Sequence, residues 1–455
     1  MSKPVKKAVN NVAQGVDKPE AEPAVVDPYL PGSGNVGYRV SRYELDLEYK
    51  VASNRLSGTA TITAVTLTAL RTFTLDLADT LSVTKVRVNG RQPVRFTTSN
   101  AKLRVTLAAP LPVGAALVIG VRYSGSPRPS ETLWGEVGFE ELSDGALVSG
   151  QPNGAPSWFP CDDRPAAKAS YLIAISTDSP YRAVANGALV SRRVRAARTT
   201  WTYEQPEPTP PYLITLQIGQ YVTHQLTGSA VPISAVLPAR LRPEFDKDFA
   251  HQAQMMDLFV RLFGPYPLAA GYTVLVTDDN LEIPLEAQGI SIFGANHCDG
   301  TGRSERLIAH ELAHQWFGNS VTVRHWRDIW LHEGFACYAE WLWSEHSGGP
   351  SAAEWARRYH RKLTGLGQDL LLADPGPADM FDDRVYKRGA LTLHVLRGRL
   401  GDDAFFALLR DWTARHAHGN ASTEDFTSLA AGYAATASLQ PVWQAWLYST
   451  ALPPL

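Results

Sequence analysis

Cysteine is scarce in this chain: three residues in 455, namely Cys161, Cys298 and Cys337. None forms a Cys-x-x-Cys pair, which argues against a disulfide framework and against a cysteine-built structural zinc site. The sparse, odd count fits a reducing compartment, and Cys337, although near the metal motif below, reads as a small buried thiol. Long apolar runs are missing as well. No stretch of about 18 apolar residues is available to span a membrane. The opening MSKPVKKAVNNVAQGVDKPE lacks the run of about 7–15 apolar residues of a secretory signal. Lys3, Lys6 and Lys7 there read as a solvated tail. Excess basic charge is also absent: 43 Lys and Arg face 45 Asp and Glu, so a nucleic-acid footprint is missing. These absences point to a cytoplasmic protein with neither membrane nor nucleic-acid partners, and a monomer is expected.

What is present is globular. Apolar residues make up 44% and charged residues 19%, with 12 Trp and 17 Tyr, enough for large aromatic cores. Residues 1–35 show no period and read as a flexible extension. From Tyr38 the pattern alternates: Tyr38-Arg-Val-Ser-Arg-Tyr-Glu-Leu-Asp-Leu-Glu-Tyr, then Thr59-Ala-Thr-Ile-Thr-Ala-Val, Phe73-Thr-Leu-Asp-Leu, Leu103-Arg-Val-Thr-Leu and further short runs. Each is β-branched and bounded by turn signals such as Asn89-Gly90, so residues 36–225 read as sheet. The Pro-rich Gln205-Pro-Glu-Pro-Thr-Pro-Pro reads as a loop. Beyond about residue 225 the apolar spacing lengthens to i, i+3, i+4 over Phe245–Leu262, Glu305–Phe317, Ile329–Trp343 and Ala390–Leu400, which predicts helices. The fold class expected is α+β, a β domain over 36–225 followed by a mostly helical domain over 226–455.

Residues 310–314 read His-Glu-Leu-Ala-His. On a helix, positions i and i+4 share a face, so His310 and His314 can reach one ion while Glu311 aims at water beside it. The pentapeptide arises by chance in such a chain with a probability on the order of 1–2%, so it is suggestive by itself. A catalytic zinc wants three protein ligands and an open position. The next helix, Trp330-Leu-His-Glu-Gly-Phe-Ala-Cys-Tyr-Ala-Glu, offers Glu333 as the third, 19 residues after His314. Glu340, two turns further on the same face, can accept from a ligand imidazole. His325 and His332 lack ligand spacing and read as structural.

His310-Glu-Leu-Ala-His-Gln-Trp-Phe-Gly-Asn-Ser-Val-Thr followed by Trp330-Leu-His-Glu-Gly-Phe-Ala resembles the zinc core of the aminopeptidase N family of gluzincins. Trp158-Phe-Pro-Cys-Asp-Asp-Arg-Pro-Ala-Ala-Lys-Ala resembles the family's aromatic-Pro-Cys signature, and Val385-Tyr-Lys-Arg-Gly-Ala resembles its catalytic-tyrosine segment. The resemblance runs from about Tyr38 to the last residue. It implies a saddle-like antiparallel β domain, a thermolysin-like catalytic domain, one Zn2+ per chain, and peptide substrates with a free N-terminal amine.

The resemblance also implies roles. Glu311 becomes the general base and Tyr386 the oxyanion donor. Glu286, the one residue kept from the family's Gly-Ala-Met-Glu-Asn motif in Ile283-Pro-Leu-Glu-Ala-Gln-Gly, becomes the anchor of the substrate ammonium. Gln151, in Ser149-Gly-Gln-Pro-Asn-Gly, becomes a second amine contact. The departures at Ile283, Pro284 and Leu285 touch substrate choice, for which neutral or hydrophobic first residues are expected. The family's C-terminal domains have no counterpart after Leu455, which implies a more open cleft. A gluzincin endopeptidase without an amine anchor and a catalytically silent zinc-binding scaffold are the competing readings.

Overall fold

The computed structural model describes residues 25–434 and 438–455. The alternating patterns form strands as their period requires. In Tyr38–Lys50 the residues Tyr43, Leu45, Leu47 and Tyr49 are buried while their neighbours face outward, the two-residue period of a half-buried strand. This strand lies inside a seven-stranded sheet between Arg55–Thr66 and Ala169–Asp178. Its pairing with Arg55–Thr66 is antiparallel, but with Ala169–Asp178 it is parallel. The front sheet is therefore not antiparallel throughout. A parallel neighbour needs a long crossover, and the intervening residues supply one. Tyr43 stacks on Tyr171 across that pair at 4.9 Å, with Phe159 edge-on at 5.6 Å.

The Pro-rich stretch is a second departure. Gln205 to Thr209 continues the strand Arg198–Thr209, pairing with Ala169–Asp178 across a register shift between Ala169 and Tyr171. A bulge is where a strand tolerates residues without an N–H, which explains why Pro206 and Pro208 do not end it.

The rear half opens on strands before its helices. Tyr221–Leu226, Ile233–Pro238, Tyr272–Val276, Ile290–Phe293 and Leu285–Ala287 form a five-stranded sheet in that order. Runs as short as Ile290-Ser-Ile-Phe carry no helical period, and the sequence pattern alone passes over them. Helices follow at Gln252–Phe263, Glu305–Ala313, Trp330–His346, Asp383–Leu400 and Asp402–Arg415. The helix expected over Phe245–Leu262 is two, Arg242–Asp248 and Gln252–Phe263, separated at Phe249 to His251.

Front and rear each hold a large apolar core, and a smaller cluster including Leu147, Val184, Leu275 and Ile292 seals the seam between them. Of the extension expected over residues 1–35, residues 1–24 lie outside the described residues. Residues 25–35 are tied down: buried Asp27 accepts from the Trp326 amide at 2.8 Å, and the Tyr29 hydroxyl bonds Asp374. Among the described residues no helix is long and apolar enough to cross a membrane.

Trp330–His346 crosses Asp383–Leu400 through paired glycines. A Cβ on Gly334 would stand 2.8 Å from the Gly389 Cα, and one on Gly389 would stand 2.7 Å from the Gly334 Cα. Backbone meets backbone there, so no side chain can rotate away to make room. Gly389→Ala should therefore destabilise the protein by about 1–3 kcal/mol through overpacking, read as a lower urea midpoint. A midpoint equal to that of the wild type would show that the two helices separate freely.

Candidate active site

The helix Glu305–Ala313 carries His310 and Glu311 in its last turn, and His314 caps it. One turn inside the antiparallel neighbour Trp330–His346, Glu333 returns to the same point. His310, His314 and Glu333 are all buried, and their ligand atoms lie within 4.8 Å of one another. Oε2 of Glu333 stands 3.4 Å from Nε2 of His310 and 3.4 Å from Nε2 of His314. A tetrahedral ion with bonds of about 2.0–2.2 Å needs donors about 3.3–3.6 Å apart. The trio fits zinc.

The outward ring nitrogens are fixed. His310 Nδ1 lies 2.7 Å from Glu340 Oε1, and His314 Nδ1 lies 3.0 Å from the Phe317 carbonyl. With Nδ1–H donating in each case, both Nε2 atoms are turned toward the common centre, where a bound metal would take the place of their protons. Glu340 is itself gripped by Arg306, whose Nη1 donates to both carboxylate oxygens at 2.8 and 2.9 Å. Burial would raise the Glu340 pKa, but the His310 hydrogen bond and the charges of Lys387, His310 and Arg306 bring it down to about 2. In the same way burial opposes the charged form of His314, yet Glu333 and Glu286 lift it to about 10. Glu333 is held well below the usual carboxylate range: burial opposes this, and the two histidines outweigh it.

Glu311 is different. Its carboxyl is buried, Oε2 has no hydrogen-bond partner, and burial pushes its pKa up to about 7 against the pull of the histidines. A carboxylate of that basicity suits proton transfer near neutrality. Tyr386 comes from the first turns of Asp383–Leu400, and its ring is stacked 6.1 Å from that of His310. Burial, then the carboxylates of Glu333, Glu286 and Glu311, hold its phenol well above 10, so it is a neutral donor.

A cavity of about 770 Å³ contains all of these groups and both expected amine contacts. Glu286 sits on the edge strand Leu285–Ala287, and Gln151 reaches it from the front β domain, Nε2 donating to Glu286 Oε1 at 2.6 Å. Burial raises the Glu286 pKa, and His314 opposes this. Every site residue expected from sequence thus lines one cavity or supports its wall. Cys337 is no part of the donor set: it is buried against Lys387, whose Nζ donates to Sγ at 3.3 Å. His332 accepts from the Val323 amide at 2.8 Å and is structural.

Several cavity residues went unread in the sequence. Trp134, at the tip of a front hairpin, donates to the Pro377 carbonyl at 2.9 Å and packs edge-on against Phe381 at 5.8 Å, which walls one side. Glu136 and Glu140 lie on the next strand, Gly135–Leu142. Burial, then the charge of Glu136, raises the Glu140 pKa. Arg306 was findable, since it precedes His310 by one helical turn; Trp134 and Phe381 carry no local signal.

Comparison with known proteins places these features in a family. The peptidase M1 N-terminal domain matches residues 40–213 and the peptidase family M1 domain matches residues 250–446. Aminopeptidase M1-D of Oryza sativa subsp. japonica is 26% identical over 416 residues, covering 84% of this chain but 47% of that protein. The chain thus spans about half the length of such curated relatives. A mutant of an M1 zinc metallopeptidase from Deinococcus radiodurans, crystallised with a Tyr-Ser-Ala substrate, superposes with a TM-score of 0.85 at 29% identity, covering 94% of this chain and 98% of that one. A two-domain M1 zinc metallopeptidase mutant bound to L-arginine gives 0.84 at 29% identity, with the same coverage. With both halves matched in order and the histidine-glutamate trio assembled, the chain belongs to peptidase family M1, the family of these zinc metallopeptidases.

Proposed function

We propose that this protein is a zinc-dependent aminopeptidase that removes the first residue of a peptide, built from a front unit and a catalytic unit that begins with the strand Tyr221–Leu226, a few residues before the boundary expected between 225 and 226. The observation that carries the reading is the Gln151–Glu286 pair, which shares one cavity with the His310–His314–Glu333 trio. An endopeptidase has no free chain end to bind, so it does not require such a carboxylate.

One zinc ion would be held by His310, His314 and Glu333, supplying the Lewis acidity that polarises a scissile carbonyl and acidifies water. Glu286 receives the substrate ammonium through charge-assisted hydrogen bonds. Gln151 donates to Glu286 through Nε2 and leaves its amide oxygen to accept from the same ammonium. The chain end is thereby fixed one residue from the reacting bond. Glu311, with its free Oε2, takes a proton from the attacking water and delivers it to the leaving nitrogen. The Tyr386 hydroxyl donates to the oxygen that becomes negative.

The wall formed by Trp134, Leu147, Leu285 and Phe381 suits an apolar first side chain, as the sequence leads one to expect. Glu136 and Glu140 on that wall widen the range to basic side chains and repel acidic ones. The metallopeptidase neighbours crystallised with Tyr-Ser-Ala and with L-arginine agree with this range.

Glu311→Gln should lower kcat on leucine amide by about 10²–10⁴-fold while the protein still holds zinc, measured by metal analysis beside the rate. A variant with wild-type turnover removes Glu311 from its role. Glu286→Ala should abolish the preference for free-amine over N-acetylated peptides; a preference that survives sinks the amine-anchor assignment. Across a panel of amino-acid amides, Leu, Tyr and Arg should be cleaved and Asp and Glu spared, and fast cleavage of the acidic amides would contradict the proposed wall.

A further inference from the structure

Lys168 lies near the end of the Trp158-Phe-Pro-Cys stretch, and from the front β domain it reaches the turn at the end of the helix that carries His310. It precedes the strand Ala169–Asp178. Its Nζ donates to the carbonyls of Asn319 and Ser320, at 3.1 and 2.8 Å. Among the described residues no carboxylate lies within ion-pair distance of it, and burial lowers its pKa well below that of a free lysine. Lys168 is half-buried, and two backbone carbonyls, not an ion pair, hold its Nζ. Both bonds go to the main chain of one turn, so what Lys168 holds is the conformation of that turn.

The two carbonyls belong to the turn that follows His314. The Asn319 amide donates to the His314 carbonyl at 3.0 Å, and the Gly318 amide donates to the Val321 carbonyl at 2.8 Å. Thr322 Oγ1 donates to the carbonyls of Gly318 and Asn319 at 2.7 and 3.0 Å. This folded turn presents the Phe317 carbonyl to His314 Nδ1. Gly318 is at φ +120°, and a Cβ there would stand 3.2 Å from that same nitrogen, so the turn presses close against the imidazole. The turn also faces the substrate anchor. Asn319 Nδ2 and Gln315 Nε2 both donate to the carbonyl of Ala287, the residue after Glu286, at 3.0 and 3.2 Å.

We propose that Lys168 is a positioning residue of the metal centre: by holding the Asn319 and Ser320 carbonyls it fixes the turn whose Phe317 carbonyl aims the His314 ring and whose Asn319 side chain steadies the strand bearing Glu286. The front domain then sets metal geometry in addition to supplying Gln151. This rests on the reading of His310, His314 and Glu333 as the zinc ligands. Partners that orient a ligand imidazole commonly contribute about 10–100-fold to metal affinity.

The test uses the full chain. Zinc dissociation constants are measured by competition with a chromophoric chelator, and the cobalt-substituted protein is examined for its ligand-field bands. Lys168→Met should weaken zinc binding by about tenfold or more, shift the cobalt bands, and raise KM for leucine amide. Lys168→Arg, which keeps a charged donor, should recover most of the loss. Ile173→Ala, a truncation in the front core, should lower the thermal midpoint without moving the zinc constant. Should Lys168→Met fail to fold, Lys168→Gln carries the same expectations. Unchanged zinc affinity and cobalt bands in the Lys168 variant overturn the proposal, as does a zinc shift of equal size in Ile173→Ala. A wild-type chain that binds zinc but cleaves no amide defeats the aminopeptidase reading and leaves this test standing; one that binds no zinc defeats both.

Discussion

The contact between Gly334 and Gly389 is a meeting of two helix backbones with nothing between them. Glu333 stands one residue before the first glycine, and Tyr386 one helical turn before the second, so the distance at which these helices cross sets how the Glu333 carboxylate and the Tyr386 phenol face each other. A packed interior passes such a displacement on rather than absorbing it. A methyl group at either position would push the carboxylate and the phenol apart, at a place where a misplacement of about 1 Å costs roughly a hundredfold in rate. Small residues are required at this crossing by the geometry of the site, since helix propensity alone would favour alanine at both positions.

Around that crossing the charges are arranged in two classes. Glu340, Arg306 and Lys387 form a satisfied group that fixes the His310 tautomer, with Glu340 kept ionised by its neighbours. Glu311 and Glu286 instead face the cavity, and both are pushed upward by burial. One set of carboxylates is saturated and structural in its effect, while the other is left with capacity to accept. Satisfied polar groups hold geometry and unsatisfied ones are available for exchange with a substrate. The division matches the roles assigned to each.

Much of this was legible in the chain, for identifiable reasons. The helical face shared by His310 and His314 follows from the i, i+4 spacing, and Glu340 follows from its place two turns beyond Glu333. The front strands follow from the alternation in stretches such as Tyr38–Lys50. The strand through Gln205 to Thr209 was misread as a loop because proline is a turn signal locally, and only the bulge opposite Ala169 and Tyr171 makes it tolerable. The rear sheet was passed over because runs such as Ile290-Ser-Ile-Phe are too short to display a period. Trp134, Phe381 and Lys168 had no signal as a set, since no local rule connects residues so far apart along the chain.

The sequence by itself determined that the His310 and His314 imidazoles share a face beside the Glu311 carboxylate, because helical periodicity converts spacing along the chain directly into a shared face. It also determined the order of the sheet-rich and helical halves. Tertiary structure alone decided which front-domain groups meet the rear. The Gln151 amide on Glu286, the Trp134 ring on Phe381 and the Lys168 ammonium on the turn after His314 are contacts across the seam. Partners of that kind are chosen by how two folded surfaces pack, and nothing in the residues flanking either one specifies the other.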